Sequence, residues 1–483
     1  MGVENVYEAV ATVPHGKPWV PSHMILVKQR YADGSIKKYK ARLVAGGHRQ
    51  TSNSYNETSS PTARPATIKI LFAKSAIEKR ILRTFDVKGA YLKSKIDEDI
   101  YMLLPIQHKG DKPQWVKLIK SIYGLKQAGK LWYENIRAKL LEFGAIQCPD
   151  DECLFRYTEG SEVIDIVIYV DDLLTASSTN TIADKLILFL RNKYGEVSEV
   201  TDTATHLGIR WVYTNGNIKI SQPGYIDKIL RELEMTNCKT ERSPVSIKYI
   251  NIINNKKIND DENSNIKILN KDSKFQDTQQ ELRKILGFLN HISIHTRPDI
   301  LFSVTQIATQ ITNCEQHHVD AAKHIVKYLA GTRDLGLTFS NKGTIELIGY
   351  ADASYLTHYD AKSHSGLAYS LGEGSTACFF SKSSKQKLVT RSSAEAELYA
   401  LDQCVCDIEW FRAILKFLGS EKINPTPIFE DNQSPMALAE GNTKVRNCSK
   451  HLNMRYFYCK QAIKNKEVIL KYILIQIFKS QIF

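Results

Sequence analysis

Between Asp165 and Ser177 the chain reads Asp-Ile-Val-Ile-Tyr-Val-Asp-Asp-Leu-Leu-Thr-Ala-Ser. An apolar, β-branched run, two adjacent carboxylates (Asp171 and Asp172) and a second apolar run predict a buried hairpin with acids at its tip. Adjacent like charges repel, and desolvation raises the cost of keeping both ionised. A bound divalent cation removes that cost, so the stretch reads as half of a metal site. Taken alone, the same pair also fits an ordinary turn.

The rest of the composition narrows the class of protein. A chain of 483 residues suffices for roughly two to four domains. Lysine and arginine number 65 against 52 acids, a net +13, which favours a polyanionic partner such as nucleic acid. A merely lysine-rich soluble protein would show the same excess. The nine cysteines are scattered and include no C-x-x-C pair, which argues against a zinc module or disulfide framework and for reduced thiols. Of Cys404 and Cys406, one thiol is expected to face a helix core. No apolar run reaches about 18 residues and the N-terminus lacks a signal-peptide core. The expectation is a soluble intracellular protein, cytoplasmic or nuclear, not secreted and without a membrane partner.

Residues 1–20, with Pro14, Gly16 and Pro18, read as an arm. A hairpin follows: Met24–Val27, a turn at Asp33-Gly34, and Tyr39–Val44 carrying Lys40 and Arg42. A helical stretch over Thr67–Glu78 leads to Thr84-Phe-Asp-Val, which sets Asp86 at the end of a short strand. Beside Asp171 and Asp172 it would complete a three-carboxylate cluster able to hold two metal ions for phosphoryl transfer. Gly124 and Gly129 bracket a bend that offers Lys126 and Gln127 to a substrate. Leu186–Leu190 reads as a core helix, and Leu207–Trp211 with Ile218–Ser221 as a second hairpin turning at Asn215-Gly216. Residues 248–280 are Asn/Lys-rich and aperiodic, as in a linker. Helices are expected at Leu282–Ile294 and Val304–Leu329, interrupted at Thr296-Arg-Pro-Asp299 by Pro298. Beyond Ile345 a strand ending at Asp352, a helix from Ser393 capped by Ser392 or Ser393, and a strand ending at Asp431 carry further acids. Together they could converge on metal and activate a water against a phosphodiester. Read singly, they also fit unrelated surface acids.

Ordered motifs carry a resemblance. They are Tyr39-Lys-Ala-Arg-Leu-Val-Ala45, Ser60-Pro-Thr-Ala-Arg64, Phe85-Asp-Val-Lys88, Ser121-Ile-Tyr-Gly-Leu-Lys-Gln127, Tyr169-Val-Asp-Asp172 and Leu207-Gly-Ile209. Further on stand Thr296-Arg-Pro-Asp299, Tyr328-Leu-Ala-Gly-Thr332, Arg391-Ser-Ser-Ala-Glu-Ala-Glu397, Glu430-Asp-Asn-Gln-Ser434 and Lys450-His451. From about Trp19 to Val468 the chain resembles the reverse transcriptase and ribonuclease H part of copia-type LTR retrotransposon Pol polyproteins. The resemblance implies an α+β right-hand polymerase (fingers, palm, thumb) followed by an α/β ribonuclease H-like domain. Its bounds would be an arm at 1–20, fingers and palm at 21–235, thumb and connection at 236–340, the nuclease at 341–470 and an atypical apolar tail at 471–483.

By motif position Asp86, Asp171 and Asp172 match the palm metal-binding acids. Tyr91 matches the aromatic that excludes a ribose 2′-OH, and Gln127 a residue touching nucleotide and template. Lys40 and Arg42 match the fingers strand that faces the triphosphate. In the nuclease Asp352, Glu397 and Asp431 match metal-binding acids, with Glu395 the alternative to Glu397. The implied cofactor is Mg²⁺, with Mn²⁺ as substitute; the implied partners are an RNA template, a DNA primer, the RNA–DNA hybrid and dNTPs. Relatives carry a fourth nuclease acid after a strand near Leu470, where Tyr472–Phe483 holds none, and Asn453 stands where many have Asp. An impaired nuclease is therefore expected. No zinc-knuckle, protease or integrase signature appears, so a decayed copy unable to transpose unaided is expected. A catalytically silent nucleic-acid-binding relic is the alternative function, and a nuclease alone the third.

Overall fold

The structure is a computed structural model and describes residues 5–30, 36–105, 112–200, 205–206, 208–245, 249, 273–342, 344–372, 376–420, 424–440 and 450–473. The Asp33-Gly34 turn, residues 250–272 of the expected linker and residues 474–483 of the tail lie outside the described residues. The chain forms two compact units, Met1–Arg64 with Ile81–Asp202, and Pro65–Arg80 with Thr203–Phe483.

Two sheets build the first unit. One contains β1 (Tyr7–Val10), β2 (Trp19–Arg30), β3 (Ile36–Ala45), β5 (Tyr101–Leu103) and β6 (Trp115–Leu118), in the order β1-β6-β5-β2-β3. Residues 1–20 are thus not a free arm. Tyr7–Val10 pair antiparallel with β6, and the Val6 carbonyl accepts the Ile119 and Lys120 amides at 2.9 and 3.1 Å. The backbone groups along β6 need partners, and this segment supplies them.

The other sheet contains β4 (Ile81–Val87), β7 (Ile146–Gln147), β8 (Leu154–Glu159), β9 (Glu162–Tyr169), β10 (Asp172–Ser177) and β11 (Val197–Val200), in the order β11-β4-β10-β9-β8-β7. Its apolar face (Phe85, Ile166, Ile168, Leu173) packs on Trp132 and Ile136 of α2 (Ala128–Glu142) and on Ile182, Leu186 and Leu190 of α3 (Asn180–Tyr194). Each such burial contributes roughly 1.5–3 kcal/mol. Helix α3 starts where Thr179 Oγ1 accepts the Ile182 amide and stops at Gly195, whose φ is 78°. This left-handed exit is one that glycine adopts at little cost. Gly129, expected to bracket a bend, lies inside α2 instead.

The second unit takes in α1 (Pro65–Glu78) and a four-stranded sheet of β12 (Thr205–His206), β13 (Ile209–Thr214), β14 (Asn217–Ser221) and β15 (Leu337–Phe339). The β13–β14 turn is Asn215-Gly216, both with positive φ (51° and 81°), as a two-residue hairpin loop requires. Four helices then share one core: α4 (Pro223–Glu232), α5 (Ser273–His295), α6 (Leu301–Ala308) and α7 (Gln316–Gly331). Helix α5 starts inside the expected linker, because Phe275 packs against that core. The helix expected over 304–329 is two helices. The second restarts at a reciprocal cap, in which Glu315 accepts from the His318 backbone and its own amide donates to the His318 ring. The Thr296–Asp299 interruption is a clamp. Arg297, 1% exposed, forks onto Asp299 (Nη2–Oδ2 2.7 Å) and donates to the Thr332 carbonyl and hydroxyl at 3.0 and 2.7 Å.

A five-stranded sheet completes this unit: β16 (Leu347–Ser354), β17 (His364–Leu371), β18 (Phe380–Lys385), β19 (Thr426–Glu430) and β20 (Val468–Tyr472), in the order β18-β17-β16-β19-β20. The β16–β17 and β17–β18 pairs are antiparallel, and β19 is parallel to both neighbours. Lys471 and Tyr472, expected in the tail, belong to β20. Helix α8 (Ser393–Phe417) lies close on β16, where a Cβ added to Gly349 would stand 2.9 Å from Ile408 and 3.0 Å from Cys404 Sγ. Cys404 is buried and Cys406 exposed, one thiol inward as expected. Among the described residues no helix is long and apolar enough to cross a membrane.

Candidate active site

The first centre grows out of strand register. β4 and β10 pair so that Asp86 stands directly opposite Asp172. On its other side β10 pairs with β9, Asp172 facing Tyr169, which leaves Val170-Asp171 as a two-residue turn. Val170 has φ 56°, a conformation that costs a β-branched residue roughly 1–3 kcal/mol. Two bonds hold the turn against that cost. The Trp132 indole N–H donates to the Val170 carbonyl, and the Val87 amide donates to the Asp171 carbonyl at 3.2 Å.

The charges respond as the crowding requires. Burial pushes the Asp171 carboxyl up and Asp86 adds to that, while Arg42 and Lys40 act against it. Asp172 is pushed up to about 7, first by burial and then by Asp171 and Asp86. The Ser198 hydroxyl donates to Asp86 Oδ2 at 3.3 Å.

Lys40 and Arg42 are alternate residues of β3 and share a face; both are partly buried, while Tyr39 and Ala41 are exposed. The Arg42 guanidinium lies over the Tyr123 ring, 5.1 Å from its centroid, and Tyr123 meets Tyr91 edge-on at 4.7 Å. Burial and then Asp171 push both phenols up. Tyr123 thus joins the predicted Tyr91, Arg42 and Asp171; the aromatic inside Ser121-Ile-Tyr-Gly124 was the available signal. Gln127 requires a correction. It is fully buried, its oxygen accepts from Gln50 at 3.0 Å, and its NH₂ donates to the Ser54 carbonyl at 3.2 Å. The amide is committed to holding loops together rather than presented to a substrate.

The second centre lies in the five-stranded sheet. Ligand atoms of Asp352 (β16), Glu397 (α8) and Asp431, just past β19, all lie within 4.8 Å of one another. Among the described residues no other three metal-ligating side chains come so close, and the Asp86, Asp171 and Asp172 set does not. Glu397 is 5% exposed. Burial, then Asp352 and Asp431, push its carboxyl up to about 9, and its Oε2 has no hydrogen-bond partner. Glu395 is excluded by its own bonds: its Oε2 accepts the Arg391 amide at 2.7 Å and its amide donates to Ser392 Oγ at 3.2 Å. It caps the helix, and Ser392 is the N-cap. Glu430, which the sequence reading missed, is fully buried beside the cluster and pushed up to about 10 by burial, then by Glu397, Asp431 and Asp352. The buried-exposed alternation through Thr426, Ile428 and Glu430 was the signal that could have found it. The clustered ligands are all carboxylate oxygens, and the one buried residue among them, Glu397, has an oxygen without a hydrogen-bond partner. Such a set fits a hard divalent cation of the Mg²⁺ or Mn²⁺ type.

The chain is similar to several known proteins. The Pol polyprotein of transposon RE1 from Arabidopsis thaliana is 29% identical over 460 residues, covering 93% of this chain and 30% of that protein. That of transposon TNT 1-94 from Nicotiana tabacum is 26% identical over 470 residues, covering 94% and 34%. The chain therefore spans about a third of the length of these curated relatives. A foamy viral protease-reverse transcriptase in complex with an RNA/DNA hybrid shares the fold, with TM-score 0.50 and 13% identity over 93% of this chain and 51% of that one. The fold is the mixed α+β fold of a reverse transcriptase polymerase, with the five-stranded α/β sheet following it in sequence. Residues 4–247 match the family described as reverse transcriptase (RNA-dependent DNA polymerase). With its carboxylate-tipped hairpin, and similar as it is to Pol polyproteins of copia-type retrotransposons, this chain belongs to the reverse transcriptase (RNA-dependent DNA polymerase) family.

Proposed function

We propose that the chain is an RNA-directed DNA polymerase that extends a DNA primer along an RNA template from dNTPs, with a second centre that cuts RNA within the RNA–DNA hybrid. The observation that carries this reading is the register placing Asp172 opposite Asp86, with Asp171 at the adjoining tip. Mg²⁺ ions, or Mn²⁺ in their place, would supply activation of the primer 3′-hydroxyl and neutralisation of the leaving pyrophosphate. Asp86, Asp171 and Asp172 hold that charge. Lys40 and Arg42, whose charges already act on Asp171, orient the triphosphate oxygens. Tyr91, braced by Tyr123, forms the wall that a ribose 2′-OH would strike. In the second centre Asp352, Glu397 and Asp431 hold the cation and orient the attacking water.

Paired substitutions test the reading. Asp171→Asn should abolish primer extension and spare hybrid cleavage, and Asp431→Asn should do the reverse. Both should bind hybrid with the salt dependence of the wild type, since basic side chains supply that binding. Extension that survives Asp171→Asn would overturn the assignment, and hybrid binding without any extension by the wild type would favour a silent relic.

A further inference from the structure

The three clustered acids of the nuclease centre leave a fourth carboxylate unexplained. Glu430 ends β19 one residue before Asp431 and is fully buried. It shares the inward face of the strand with Thr426 and Ile428; Cys404 on α8 feels its charge, and it in turn feels the charge of Glu397 on the same helix. One of its oxygens takes the Asn432 amide at 3.3 Å. The other, Oε2, is buried without a hydrogen-bond partner, as is Glu397 Oε2. Two buried carboxylates, each with an unpartnered oxygen, are costly unless an opposing charge comes to meet them.

We propose that Glu430 is a fourth carboxylate of the nuclease centre, standing behind Glu397 and adding negative charge against which the divalent cation is held. The proposal rests on the reading of Asp352, Glu397 and Asp431 as that centre. Glu430 is not within the 4.8 Å set, so its part is to position and strengthen the closer ligands. Supporting groups of this kind typically change metal affinity about 10–100-fold.

The test is Mn²⁺ binding to the full chain, read from the electron paramagnetic resonance signal of free Mn²⁺. Asp86→Asn and Asp171→Asn are present throughout to silence the polymerase centre. Glu430→Gln, which keeps shape and removes charge, should weaken binding about 10–100-fold. Glu430→Asp, which keeps charge, should retain most of the affinity and shows that packing alone is not being read. Affinity unchanged in Glu430→Gln, while Asp431→Asn loses binding, overturns the role of Glu430 and leaves the centre standing. Equal losses in Glu430→Gln and Glu430→Asp make it a packing residue and also overturn the proposal. Binding that survives Asp431→Asn removes the centre itself, and the proposal with it.

Discussion

Arg297 offers the most direct test of how the helical part of the second unit is held. Its guanidinium is 1% exposed and joins two segments 35 residues apart: Asp299 accepts at 2.7 and 3.0 Å, and Thr332 accepts through both its carbonyl and its hydroxyl. The Tyr328 hydroxyl closes the network by donating to Asp299 at 2.8 Å. Arg297→Met keeps most of the volume and leaves the Thr332 carbonyl and part of the Asp299 carboxylate without a donor. Breaking one side of a buried ion pair costs about 3–5 kcal/mol. Asp299 is 28% exposed, so water recovers some of that cost and the lower end applies. For a unit of more than roughly 250 residues each kcal/mol lowers the midpoint by about 2 °C, the low end of the usual range, a fall of about 6 °C for 3 kcal/mol. The assay is thermal unfolding of the full chain followed by circular dichroism, reading the transition that shifts. Arg297→Lys should recover little, because an ammonium cannot reproduce the planar fork. A shift below about 2 °C in Arg297→Met, or full recovery in Arg297→Lys, would refute the clamp.

Two further outcomes follow from the proposed polymerase centre. The folded-state carboxyl of Asp172 lies at about 7 against an ordinary 3.8, so the fold binds its proton more tightly than the unfolded chain does. The metal-free stability this contributes is present below the ordinary value and lost as pH rises through about 7. A cation competes with that proton, so Mn²⁺ affinity of an Asp431→Asn chain should rise about tenfold between pH 6 and pH 8 and then level off; a flat profile would refute it. Tyr91→Ala should let ribonucleotides into the primer strand, and unchanged dNTP-over-NTP discrimination in a single-incorporation assay would remove Tyr91 from that role.

What could be read in advance was local or periodic. The hairpin tip, Asp86 at a strand end and the Asn215-Gly216 turn follow from alternation and turn chemistry that neighbouring residues fix. Thr296-Arg-Pro-Asp299 could be recognised as an interruption because Pro298 ends a helix, yet its partner Thr332 is set by tertiary packing. Gln127 carried a motif position but not its burial, which depends on Gln50 and Ser54 more than seventy residues away. Residues 7–10 gave no strong strand signal, and pairing with β6 recruits them. Glu430 was masked by its neighbour Asp431. Consecutive strand residues face opposite sides, so one acid caught attention as a ligand while the other lay inside.

Asp86 and the Asp171-Asp172 tip, brought face to face by the pairing of β4 and β10, are proposed to form a polymerase centre. The measurement is incorporation of dNTPs by the purified chain on an RNA template annealed to a DNA primer, with Mg²⁺ and with Mn²⁺, beside an Asp86→Asn control of equal hybrid affinity. Template-directed extension is expected from the wild type and none from Asp86→Asn. Equal extension by the two, or none by a folded wild type that binds hybrid, would contradict it.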